Sequence, residues 1–261
     1  MNIPRFLTAF AALVLTAAVV RADDGFVDIF NGKNLQGWVV EGGKSSRQGD
    51  REVPIWSVKN GLLTATGAKY GFLRYDRVYK DFIAHAEYRL SKNCNSGFGI
   101  RTVKFTGKID TAPSHAAYEV QVLADSGKKP TEHSSGSLYR YVAPKVNATR
   151  PAGQWNIIDI ECRGPKIHIV LNGQVIQDVD QSTIDEIKDK PLSGYFCLQS
   201  HTNKIEFRKV QIKELKFHDL SWLPPPRLDC ESPGGTEANS QGRKPLGREC
   251  ARDLVALKGR K

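Results

Sequence analysis

The sequence predicts an all-β fold, an antiparallel β-sandwich or jelly roll with a flexible C-terminal tail. Three observations carry the prediction. Roughly a dozen short segments alternate apolar and polar residues with period two, the spacing of a strand with one buried face. Asn-Gly and other glycine-containing turns recur between them at close spacing. No stretch sustains a helical apolar period, and nothing reads as a βαβ unit or a phosphate-cradling glycine loop. A chain of 261 residues, 40% hydrophobic and 25% charged, has the size and composition of one such domain with appendages.

Residues 1–22 read as a secretory signal. Arg5 supplies the basic start, Phe6 to Val20 the apolar stretch, and Val20-Arg21-Ala22 the small residues before cleavage. The apolar run is about 15 residues, short of the roughly 20 that span a bilayer, so stable membrane insertion is not expected. The mature chain is predicted to be exported, to the periplasm or beyond. Its domain, residues 23–223, opens with a short strand near Phe26 to Phe30, an Asn31-Gly32 turn and Trp38 as an aromatic anchor. Residues 41–53 read as a polar loop. Ile55 to Ala65 read as a hairpin turned by Asn60-Gly61. A short strand follows at Gly71 to Tyr75. In Phe82 to Ser91, Ala84, Ala86, Tyr88 and Leu90 oppose His85, Glu87 and Arg89, the pattern of a half-buried strand.

The stretch from Asn95 to Tyr139 is the most informative. Phe98 and Ile100 oppose Gly97, Gly99 and Arg101, and Tyr118, Val120 and Val122 oppose Glu119 and Gln121. Farther on, Phe196 and Leu198 oppose Cys197, Gln199 and His201. Three strands thus set Arg101, Glu119, Gln121, Gln199 and His201 on faces opposite their core residues, with Asn95 and Tyr139 at the edges. The glycines are expected to leave empty volume there. Amides, carboxylates and guanidinium form paired hydrogen bonds with hydroxyls, and aromatic rings cover the C–H face of a sugar, so a carbohydrate is the predicted partner. Asp110, Asp125 and His133 lie in loops or at strand ends from which they can approach. His85, His115, His133, His168 and His218 share no metal-ligand spacing.

Further strands are expected at Trp155 to Cys162, Ile167 to Leu171, Gly194 to His201 and Ile205 to Leu215, with an Asn172-Gly173 turn and about one helical turn near 182–188. After Leu223, Pro224-Pro225-Pro226 cannot join a sheet ladder, and residues 224–261 read as a basic, disordered tail. Loss of Arg5 and Arg21 lowers the net charge of +10 by two. The remaining basic residues are dispersed and not interleaved with aromatics, so a nucleic-acid partner is not expected. Five cysteines lack metal spacing, and their pairing is open, as is the oligomeric state.

Several motifs together resemble one family. They are Phe30-Asn31-Gly32-Lys33-Asn34-Leu35-Gln36-Gly37-Trp38, Asn95-Ser96-Gly97 with Arg101, Tyr118-Glu119-Val120-Gln121 with Asp125, and Gly136 to Tyr139. Trp155-Asn156, Leu171-Asn172-Gly173, Leu198-Gln199-Ser200-His201 and Phe207-Arg208 complete the set. In this order they resemble the 3-keto-disaccharide hydrolase domain, formerly a domain of unknown function, over residues 25–216. The resemblance implies a concanavalin A-like (laminin G-like) jelly roll and cleavage of 3-keto-glycosides. A ketone at C3 acidifies the C2 hydrogen, so a base removes it, the C1 oxygen leaves and water adds. On this reading Glu119 and His201 are base and acid in unassigned order, and Arg101 stabilises the oxyanion. Asn95, Gln121, Tyr139 and Gln199 position hydroxyls, and a Glu–His pair leaves a divalent metal ion open as a cofactor. A non-catalytic carbohydrate-binding module and an interaction domain using the basic tail are the alternatives.

Overall fold

The structure, a computed structural model, describes residues 25–216. The predicted signal segment and the tail from 224, with Cys230 and Cys250, lie outside the described residues. In chain order the strands are β1 (Val27–Asp28), β2 (Trp38–Gly42), β3 (Ser45–Gln48), β4 (Arg51–Pro54) and β5 (Trp56–Lys59). Then come β6 (Leu62–Ala65), β7 (Gly71–Tyr79), β8 (Phe82–Leu90), β9 (Asn95–Thr102) and β10 (Tyr118–Leu123). The last are β11 (Trp155–Arg163), β12 (Lys166–Leu171), β13 (Gln174–Asp180), β14 (Gly194–Ser200) and β15 (Ile205–Glu214). A one-turn helix, α1 (Pro113–Ala116), lies between β9 and β10.

Two antiparallel sheets form the sandwich. One runs β13-β12-β11-β8-β15-β6-β5, with β1 also on β15; the other runs β10-β9-β14-β7-β2. Strands β3 and β4 pair apart, inside the segment expected to be a loop. The predicted alternation is present in β8, where Ala84, Ala86, Tyr88 and Leu90 are buried between half-buried neighbours. Asn60 and Gly61 take φ of 52° and 76°, the positive pair that a two-residue hairpin turn demands. The helical turn expected near 182–188 begins as a short 3-10 segment at Gln181–Thr183.

The sheets are locked through β9. Phe98 stacks on Phe196 of its own sheet at 6.1 Å and meets Tyr88 and Phe207 of the other sheet at 5.6 and 6.1 Å. All four rings are fully buried, each removing a large apolar area from water. Cys94, Cys162 and Cys197 are buried free thiols. Burial pushes the Cys94 and Cys162 thiols up to about 12, so they behave as small apolar side chains.

Arg101 departs from the expectation that it shares a face with Gly97 and Gly99. Its φ is 54°, left-handed, and the pairing of β9 with β14 shifts register between Tyr195 and Cys197. A residue in that conformation breaks the period-two alternation of a strand. Gly194 permits the close backbone approach, since a Cβ there would lie 2.3 Å from the Arg101 carbonyl. The guanidinium is fully buried and donates to the carbonyls of Gly164 at 2.7 Å and Lys80 at 3.1 Å, with Asp81 at 3.5 Å. Asp81 also accepts from the Gly164 N–H at 2.7 Å. Arg101 therefore ties the β7–β8 turn to the β11–β12 turn across one end of the sandwich. Arg101→Met should lower the unfolding free energy by about 3 kcal/mol, because two buried carbonyls lose a charged donor. Urea denaturation measures this, and an unchanged midpoint would remove Arg101 from the scaffold.

Candidate active site

The outer face of the five-stranded sheet carries the site. In the β9–β10 register Glu119 pairs with Gly99 and Gln121 with Gly97. The glycine positions are occupied by neighbouring side chains, contrary to the expectation of empty volume. A Cβ on Gly97 would lie 2.9 Å from Glu119 Cγ and 3.0 Å from its Oε1. A Cβ on Gly99 would lie 2.4 Å from Cys197 Sγ and 2.9 Å from Pro113 Cγ. Gly97 thus admits the carboxyl of Glu119, and Gly99 seats α1 on the sheet. The segment before α1 is held by Phe105, whose ring meets Phe72 at 5.0 Å, and by Glu41, which accepts from the Phe105 N–H.

A cavity of about 320 Å³ opens beside this segment. Six of the seven residues predicted for the site line it: Asn95, Glu119, Gln121, Tyr139, Gln199 and His201. Arg101 does not. Glu119 and Gln121 project from β10, and Gln199 from β14. Residues 136–139 run alongside β10, where the Tyr139 N–H donates to the Glu119 carbonyl at 2.9 Å. Asn95 and Thr202 exchange backbone hydrogen bonds at 2.9 and 3.2 Å, which brings the end of β14 and His201 to the start of β9. Asp125 is buried and does not line the cavity; its Oδ2 accepts from the Ser135 N–H at 3.1 Å.

Five further polar residues line the cavity, Tyr70, Ser114, His115, His133 and Arg140. Tyr70 stands two residues before Phe72, so alternation extended past the strand end signals it. His133 was among the loop residues able to approach. Ser114, His115 and Arg140 arrive on α1 and a loop, where no strand periodicity points to them. His115 Nδ1 lies 3.1 Å from Ser114 Oγ, and its Nε2 lies 2.6 Å from Arg140 Nη1. Edge-to-face contacts place Tyr70 against His201 at 5.5 Å and His133 against Tyr139 at 5.0 Å.

The electrostatics single out Glu119, which is only 5% exposed. Burial pushes its carboxyl up to about 7, against the opposing effect of the neighbouring Gln199 and Ser114 side chains. Burial and the charge of Glu119 raise the Tyr70 phenol, which stays a donor. Partial desolvation at the cavity mouth lowers His201, exposed though it is, from the usual imidazole value, and desolvation with Arg140 and Lys190 lowers His115, so both rings are neutral near pH ~7. Asn95 Oδ1 and Gln199 Oε1 are buried with no hydrogen-bond partner among the described residues. Buried acceptors without partners are where a ligand's hydroxyls gain most. Among the described residues no three His, Cys, Asp or Glu side chains cluster as a metal site.

Glu119 links the site to stability. Its ordinary value is 4.5 and its folded value about 7. Between these the folded state binds more protons, so the group's stabilising contribution is full below the ordinary value and lost as pH rises through the folded one. The loss is about 3 kcal/mol. Glu119→Gln should therefore exceed the wild type in stability by about that amount at pH ~8, with the gain gone by pH ~4. Urea unfolding at both pH values measures it, and equal stability at the higher pH would contradict a desolvated carboxylate.

Known proteins share this sandwich fold. Residues 25–213 match the family described as a 3-keto-alpha-glucoside-1,2-lyase-like domain. A curated 3-keto-disaccharide hydrolase from Bacteroides thetaiotaomicron is 24% identical over 74% of this chain and 79% of its own. A crystal structure from Parabacteroides distasonis, provisionally named a glycosyl hydrolase, superposes with a TM-score of 0.61 at 22% identity, over 74% of this chain and 95% of that one. A second from the same organism gives 0.51 at 25% identity, over 74% and 84%. With the match running from before β1 into β15, the chain belongs to the 3-keto-alpha-glucoside-1,2-lyase-like domain family.

Proposed function

We propose that the domain cleaves 3-keto-glycosides, with 3-keto-disaccharides as the substrate class, by elimination across C1 and C2 followed by addition of water. One observation carries the reading: a buried carboxyl, raised to about 7, opens onto a cavity lined by amides with unused acceptors. A base is most effective when its pKa lies near the working pH, and desolvation brings Glu119 there. The amides of Asn95, Gln121 and Gln199 suit neighbouring sugar hydroxyls. The relative from Bacteroides thetaiotaomicron, a 3-keto-disaccharide hydrolase by name, supports the choice of substrate.

In this mechanism ionised Glu119 accepts the C2 proton, and the electron pair delocalises onto the C3 ketone oxygen. Tyr70 and Arg140 replace Arg101 as the donors that stabilise that oxyanion, since both line the cavity. The C1–O bond then breaks, and the proton held by Glu119 passes to the departing oxygen. Water adds to C1 of the unsaturated ketone as the neutral imidazole of His201 takes its proton, and that proton returns to C2. Atoms and charge balance, and Glu119 and His201 end as they began. His201 is exposed at the cavity mouth, where water enters.

The test is product release from a panel of 3-keto-disaccharides, with their unoxidised parents as controls. Glu119→Gln should lower kcat by about 10²–10⁴-fold, the range for losing a general base. The product formed in D2O should carry deuterium at C2 beyond the exchange seen without enzyme, which direct hydrolysis at C1 does not give. The wild-type kcat/KM should fall as pH drops below about 7, because protonated Glu119 cannot act as base. Glycan binding with no release from any 3-keto-disaccharide would make the domain a carbohydrate-binding module.

A further inference from the structure

Among the described residues, Arg140 alone of the arginines and lysines lines the cavity, and an imidazole holds it. Its Nη1 lies 2.6 Å from His115 Nε2. Arginine carries only donors, so Nε2 accepts and bears no proton. The ring proton is then on Nδ1, which lies 3.1 Å from Ser114 Oγ and donates to it. Desolvation, Arg140 and Lys190 lower His115 from the usual imidazole value, against the charge of Asp110, in keeping with a neutral ring.

A carboxylate is the commoner partner of a guanidinium, and it cancels the charge it binds. Two carboxylates stand close by. Asp110 precedes α1 and acts on His115. Glu132 gives its backbone carbonyl to the Arg140 N–H at 2.9 Å, while its carboxylate faces His133 Nδ1 at 3.4 Å. Among the described residues neither forms an ion pair with Arg140. The imidazole lone pair engages one N–H and leaves the remaining donors free for a ligand.

The backbone fixes this pairing from both sides. Leu138 and Val142 exchange hydrogen bonds at 3.0 Å, so residues 139–141 form a tight turn. Within it Arg140 takes a left-handed φ of 75°, where glycine or asparagine is usual. From the same turn Tyr141 OH donates to the Ser114 carbonyl at 3.2 Å. Lys190 Nζ donates to the His115 carbonyl at 2.8 Å, and Pro113 sits over Gly99. The turn and α1 therefore present Arg140 and His115 to each other at the cavity wall.

We propose that His115 is a positioning residue for Arg140: its Nδ1-protonated tautomer aims the guanidinium at the cavity through one N–H and leaves the positive charge uncompensated for an oxyanion that develops on the substrate. The proposal rests on the reading of Arg140 as an oxyanion donor. A carboxylate in the place of His115 would aim the group and cancel its charge. An apolar side chain there would leave the charge and lose the aim. Either loss falls on the transition state, where the charge develops, more than on substrate binding.

Nitrogen-15 NMR of histidine-labelled full chain tests the pairing without substrate, with His115 identified by its loss in His115→Gln. Above the imidazole's titration the wild type should show a protonated Nδ1 and a bare Nε2. Arg140→Leu should shift His115 toward the Nε2-protonated tautomer. A wild-type ring protonated on Nε2 overturns the proposal, and so does a tautomer that Arg140→Leu leaves unmoved. In turnover of a 3-keto-disaccharide, His115→Glu and His115→Leu should each lower kcat about tenfold or more, with KM changed by less than about threefold. His115→Gln, whose Oε1 can accept from Arg140, should recover most of the kcat lost in His115→Leu. Circular dichroism establishes that each variant is folded. A His115→Glu kcat equal to the wild type overturns the claim that the charge is used. Failure of the wild type to cleave any 3-keto-disaccharide would instead sink the proposed function, and the NMR outcome is read separately from it.

Discussion

The site depends on a close approach that two missing side chains permit. Gly97 and Gly99 face outward from β9 on either side of Phe98, which faces the core. The gap at Gly97 is filled by the carboxyl of Glu119, and the gap at Gly99 by Cys197 and Pro113. Any Cβ at these positions would collide with the groups that define the cavity. One strand thus alternates between nothing and a large aromatic ring: the ring joins the two sheets, and the gaps build the site floor. Because the period is two, the same register that buries Phe98 presents the glycines.

Embedding a carboxyl in such a floor opposes folding at neutral pH, since desolvation disfavours its charged form. The opposing stabilisation lies behind the sheet and at its end. The rings of Phe98, Phe196, Tyr88 and Phe207 form a continuous contact between the sheets, and Arg101, with Asp81, joins the β7–β8 and β11–β12 turns. The raised carboxyl is maintained because these interactions hold β9 and β10 in register around it. Tyr70, kept protonated by burial and then by the charge of that carboxyl, shows that the same desolvation also shapes the donors facing it.

Much of this was legible in the sequence wherever strand alternation held. It located β8, β9, β10 and β14, and it placed Glu119, Gln121 and Gln199 on one face because those residues stay in regular strands. It failed at Arg101, where a left-handed residue and a register shift turn the side chain inward. A single sequence does not announce such a break, since glycine and asparagine are the usual carriers of positive φ. Ser114, His115 and Arg140 were illegible for another reason. They reach the cavity on a one-turn helix and a loop whose positions are set by what they rest on, and local pattern carries no information about that. Tyr70 falls between: its spacing from Phe72 is informative only once the strand is extended by one pair.

The order of strands also governs when the cavity can form. In the five-stranded sheet β14 lies between β9 and β7, although seventy residues separate it from β10 in the chain. Until residues 194–200 are inserted, β9 has an open edge, Gln199 is absent from the cavity floor, and Asn95 has no Thr202 to bridge. A chain lengthening from its N-terminus therefore carries Glu119 without its completed cavity from the time β10 is made until β14 follows. The strand that closes the sheet is also the one that brings Gln199 and His201 to the cavity, so a partly made or partly opened domain has no complete cavity.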